Sequence, residues 1–126
     1  MKRFIASALL LGAVIALCFF GTSFVTDKYE KITEEINLGE KYANEGDFDK
    51  AKTHLLKAEK IYVESEQYMA AFVNHSLLDD IGQSLSAVAP LADKDSENEM
   101  LSALYEAKTA LDHLRNDHIF LLGNLF

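Results

Sequence analysis

From Phe4 to Val25 the chain runs for 22 residues without a charge, directly behind Met1-Lys2-Arg3. At about 1.5 Å per residue, a helix of that length measures roughly 33 Å and matches the ~30 Å hydrocarbon core of a bilayer. Such a segment is a removed signal, a lipoprotein leader cut at Cys18, or an anchor that stays. A cleavable signal has an apolar region of roughly 7–15 residues, which this run overshoots, and Gly21-Thr22-Ser23 is a poor cleavage site. Lipoprotein processing needs a small residue before the modified cysteine, where Leu17 stands. Phe19, Phe20, Phe24 and Val25 also keep the stretch beyond Cys18 apolar. The reading is a retained signal-anchor over residues 1–25, followed by a second region over residues 26–126.

Charge orients the anchor. Lys2 and Arg3 flank its start, whereas "TDKYEKITEE" beyond it is net acidic. By the positive-inside rule the N-terminus is cytoplasmic and residues 26–126 are extracytoplasmic, giving a single-pass protein of the cell membrane. The other 10 of the 12 Lys and Arg and all 20 Asp and Glu fall in residues 26–126, a formal charge of −10. That balance excludes nucleic acid, which requires a clustered basic face, and disfavours lying flat on anionic lipid. One cysteine excludes an internal disulfide and any multi-cysteine zinc site.

The remainder reads as helix. Val25, Tyr29, Ile32, Ile36, Gly39 and Ala43 make one stripe at spacings of three and four, continuing from the span. "NEGD" should break it, with Asn44 and Gly46 suited to a helix end and Asp47 to the next N-cap. Phe48, Ala51, Leu55, Ala58 and Tyr62 form a second stripe, and "ESEQ" (Glu64 to Gln67) either bends the chain, the favoured reading, or is one exposed turn of a longer helix. A third stripe takes Leu78, Ile81, Leu85 and Val88 and is limited by Pro90. After the loop "LADKD", Ser96 and Glu99 suit a capping box. Met100, Leu104, Ala107, Leu111, Leu114, His118 and Leu121 follow, with Gly123 as a stop and Asn124-Leu125-Phe126 either folding back on the membrane-proximal base, the favoured reading, or contacting lipid or a membrane partner near the span. The predicted class is all-α: a transmembrane helix continuing into a small antiparallel bundle of about four helices.

Two resemblances accompany this pattern. "LGEKYANEGDFDKAKTHLLKAEK" resembles a single tetratricopeptide unit at Leu38, Gly39, Tyr42, Ala51 and Ala58. No second copy follows 34 residues on, so the segment reads as a convergent helical hairpin. The short basic N-terminus, the single span, "EGDFDKA", "FVNHSLLDDI" and the terminal "NLF" together resemble the bacterial family catalogued as domain of unknown function 4363. That resemblance implies short membrane-anchored proteins, mostly from spore-forming Firmicutes, with no assigned activity or catalytic residue.

No phosphate loop, nucleophile elbow, His-Glu-x-x-His or Cys-x-x-Cys occurs, so no enzyme, cofactor or catalytic residue is expected. His75 and Asp79 lie one helical turn apart, as do His113 and Asp117, and His118 holds a stripe position. A His75–Asp79 hydrogen bond that closes the bundle is the expected role, with a cost of about 1–3 kcal/mol on its loss. The competing role joins His75, Asp79 and His118 in a divalent-metal or pH-sensing site. The function expected is a non-enzymatic interaction or regulatory module for another membrane or envelope protein, held at the cytoplasmic membrane by residues 4–25.

Overall fold

Helix α1 (Lys2–Asn44) runs without interruption from the apolar N-terminal stretch into the bundle, in a computed structural model describing residues 1–71 and 73–125 and, from residue 117 onward, only the backbone. It is long and apolar enough to cross a membrane. Two regions of this helix meet different surroundings. Residues 1–20 are exposed throughout, whereas Val25, Ile32, Ile36, Gly39 and Ala43 are buried. The stripe read from spacing is therefore the core face of α1.

The chain reverses at "NEGD" for the expected reasons. Gly46 takes φ +82°, a left-handed conformation that glycine adopts at little cost. The Asp47 side chain then caps α2 (Phe48–Met69) by accepting from the Lys50 amide at 3.2 Å. Antiparallel pairing follows from contacts at both ends: Tyr42 meets His54 near the turn, and Phe24 meets Tyr68 at the far end. Gly39 makes the approach close, because a Cβ there would lie 2.8 Å from Leu55 Cδ2 and 3.3 Å from the Ala51 carbonyl oxygen. These contacts describe the hairpin fully as small residues at a helix crossing.

The expected bend at "ESEQ" is absent. Helix α2 continues through it to Met69, with Ser65 and Met69 buried on the same stripe as Ala58 and Tyr62. Ser65 sits inward because its hydroxyl donates to the Ile61 carbonyl at 2.6 Å, satisfying its polarity within the helix. Helix α2 ends at Met69, and Asn74 caps α3 (His75–Val88) by accepting from the Ser76 amide at 2.8 Å.

Leu78, Ile81, Leu85 and Val88 are the buried face of α3, as their spacing predicts. Pro90 lies in the 3₁₀ turn Ala89–Leu91 directly after it. A second 3₁₀ turn, Lys94–Ser96, is capped by Asp93, and α4 (Glu97–Leu125) begins after Ser96, the expected N-cap position. Met100, Leu104, Ala107, Leu111 and Leu114 close the core. Helices α1 and α2 share the largest interface and α3 packs chiefly on α4, with α1–α4 and α2–α3 contacts joining the pairs. The observed class is the all-α, four-helix architecture that the stripes predict. At the C-terminus the expectation fails, since α4 runs through Gly123 and Asn124 to Leu125 and does not stop. The expected inward place of His118 and Leu121 and the docking of Leu125 and Phe126 lie outside the described residues.

Candidate functional site

The polar groups cluster at the helix seams. On the α1–α2 seam, Glu35 and Tyr42 stand two turns apart on α1, and His54 enters from α2 beside the buried Leu55. His54 Nδ1 lies 2.7 Å from Glu35 Oε2, and the two side chains are 19% and 21% exposed. The imidazole stacks on Tyr42, with ring centres 5.3 Å apart and planes inclined by 11°. Lys50 Nζ, one turn before His54, stands 5.4 Å from the centre of the Tyr42 ring. The ring is thus held by a carboxylate at its edge and a phenol at its face. This geometry fixes the register of α1 against α2.

Two further ties join the remaining helices. Lys108 of α4 donates to Glu40 of α1. Tyr62 of α2, 2% exposed, donates its hydroxyl to the Leu78 carbonyl of α3. Burial, reinforced by the negative charges of Glu66 and Asp79, raises the Tyr62 phenol well above its ordinary range. Gly82 leaves room for that ring, since a Cβ there would lie 3.1 Å from Tyr62 Cε1.

The residues singled out from sequence lie elsewhere. His75, at the start of α3, and Asp79 are both exposed, as are His113 and Asp80. No hydrogen bond joins His75 to Asp79 among the described residues, so the expected bundle-closing pair is not formed. Its first member stands at the helix mouth, pointing away from the core face of Leu78 and Ile81. Among the described residues no group of three His, Cys, Asp or Glu is placed to hold a metal, and His118 lies outside them. With His75 solvated, His75→Ala should change stability by less than about 0.5 kcal/mol, the scale of an ordinary surface substitution. Thermal melting would check this, and a loss above about 1 kcal/mol would restore a buried role.

Sequence reading missed the His54–Glu35–Tyr42 arrangement. Its signal was the seven-residue spacing of Glu35 and Tyr42 on the flank of the α1 stripe, with a histidine beside a stripe residue on the next helix.

A concave feature lies at the base of the bundle, where α1 leaves it. Leu17, Phe20 and Gly21 form the lower part of an open groove of about 730 Å³, and Asp27, Gln67 and Tyr68 stand at its upper part. Phe24 separates it from a second hollow bordered by Lys28, Lys31 and Glu64.

Comparison with known proteins gives one match. Residues 19–125 match the profile of a family described as Domain of unknown function (DUF4363). No curated protein and no solved structure matches the chain at a significant level.

Proposed function

We propose that the chain, which belongs to the DUF4363 family, is a membrane-anchored extracytoplasmic module that acts by contact on another membrane or envelope protein. The observation that supports this reading is the unbroken course of α1 from an uncovered apolar stretch into the bundle core. Phe4 is 79% exposed, Leu9 71% and Phe20 70%, a surface that water would penalise and hydrocarbon would not. Lys2 and Arg3 on one side and the acidic residues 27–35 on the other favour a cytoplasmic N-terminus. His54 with Glu35, Tyr62 with the Leu78 carbonyl, and Lys108 with Glu40 serve helix–helix ties, which suits a scaffold presenting surfaces. A face of the bundle, or the span itself, would carry the contact.

Mass and protease accessibility test the anchor together. Protein from the membrane fraction should retain Met1 to Val25, apart from loss of the formyl group or Met1. Protease added outside wall-stripped cells should digest residues 26–126. A lipid-modified form beginning at Cys18, a soluble form beginning near Phe24, or full protection from external protease would overturn the reading. Mild detergent extraction should also recover a membrane or envelope protein in fixed stoichiometry, and recovery of the chain alone under all mild conditions would count against a contact role.

A further inference from the structure

We propose that the groove at the base of the bundle binds a phospholipid whose headgroup carries an ammonium, such as phosphatidylethanolamine. The inference rests on the anchor reading above. Three observations identify the occupant. The groove is continuous with the uncovered span: Leu17 and Phe20, 63% and 70% exposed, belong to both. With residues 4–25 in a bilayer, hydrocarbon surrounds this lower end, so a lipid chain reaches it without displacing protein. Polarity also changes along the groove in the direction a phospholipid requires. Asp27 stands ten residues above Leu17, about 15 Å along a helix, the scale of the step from upper acyl chain to headgroup layer.

The third observation is charge. Asp27 is the only charged residue among the described residues lining the groove. Its carboxylate is half-exposed, and its ion pair with Lys31 at 3.2 Å is a solvated surface pair that yields readily. An ammonium headgroup can replace Lys31 as donor to that carboxylate, which offers no donor to an anionic headgroup. The Tyr68 ring is 63% exposed and packs edge-on against Phe24 at 6.0 Å, so its phenol stands where interfacial tyrosines sit. Lys28, whose Nζ lies 5.5 Å from the Phe24 ring centre, borders the separate hollow beyond Phe24.

The chain contains no tryptophan, so Tyr68→Trp supplies a single emitter inside the groove. The full chain carrying this substitution would be reconstituted in vesicles of phosphatidylethanolamine and phosphatidylglycerol, with one or the other brominated on its acyl chains. Brominated phosphatidylethanolamine should quench the groove indole with a local preference of about two- to fivefold, the value of one solvated charge contact. Adding Asp27→Asn to the Tyr68→Trp chain should bring the two lipids to parity. Equal quenching with Asp27 in place, stronger quenching by phosphatidylglycerol, or a preference that survives Asp27→Asn would overturn the site. A separate chain carrying Leu10→Trp places the emitter in the span alone. Quenching in the Leu10→Trp chain without quenching in the Tyr68→Trp chain would mean that protein fills the groove, and would overturn the lipid site only. An unquenched Leu10→Trp chain would remove the anchor reading and this inference with it.

Discussion

Tyr62→Ala should cost about 3–5 kcal/mol, the range for removing a buried aromatic side chain. The ring is among the largest fully buried side chains and meets α3 at two places, the Leu78 carbonyl and Gly82. Alanine leaves a cavity between α2 and α3, where the shared interface is small, so little else can close it. At roughly 4–8 °C per kcal/mol for a region of this size, melting should fall by at least about 12 °C. Circular dichroism of the detergent-solubilised chain would measure it, and a loss below about 1 kcal/mol would show that Tyr62 does not hold α3 in place. Tyr62→Phe keeps the ring and should cost only about 1 kcal/mol, the value of one hydrogen bond.

The same residue sets an alkaline limit. Its phenol ionises less readily in the folded chain than in the unfolded one, because burial disfavours the phenolate. Below the unfolded value of about 10 both states are neutral and the folded state keeps its full stability. As pH rises above that value the unfolded state alone loses the proton, so stability falls until the folded phenol also titrates. Tyr62→Phe should remove that part of the alkaline loss, and an unchanged decline above pH ~10 would place its origin elsewhere.

Gly39→Leu should cost about 3 kcal/mol, at the upper end for overfilling a packed core. The first carbon of the new side chain would already overlap Leu55 Cγ and Cδ2, both 2.8 Å away, and the Ala51 carbonyl oxygen behind them cannot retreat without moving α2. Gly39→Ala should be milder, because the helix-propensity gain of about 1 kcal/mol offsets part of the displacement. Truncating the obstructing residue gives the discriminating measurement. In a double-mutant cycle, Gly39→Leu and Leu55→Ala should together cost less than the sum of their separate effects by about 1 kcal/mol or more, on the order seen for contacting residues. Strict additivity would mean that the crossing is looser than the 2.8 Å approach implies.

Much of this architecture was legible because it follows from helical periodicity. Every stripe residue assigned to α3 is buried, and Gly46 and Asp47 turn the chain by the means their chemistry suggests. Where the structure departs from these expectations, the residue type alone does not specify its surroundings. Ser65 looked like part of an exposed break, yet its hydroxyl finds a carbonyl one turn back and the residue is buried. Gly123 looked like a stop, yet a glycine inside a helix costs only about 1 kcal/mol and α4 continues past it. His75 and Asp79 have the spacing of a pair on one helix, but that spacing leaves open whether their face meets the core or solvent. His54 and Glu35 are 19 positions apart, so their contact depends on the register of two helices, which no single-helix pattern contains.

The absence of a joint in α1 has a mechanical consequence. If residues 4–25 lie in a bilayer, as proposed, the stretch from Val25 to Asn44 would reach about 30 Å beyond it, and the Gly46 turn would stand at that distance and no farther. A linker would let the bundle wander, but a continuous helix makes it a strut. Rolling or tilting the span by some angle rolls or tilts α1 by the same angle, and α2 follows through their shared face. Under the anchoring proposed above, anything that grips the Gly46 end would have leverage on residues 4–25, and lipid or protein pressing on residues 4–25 would be felt at Gly46.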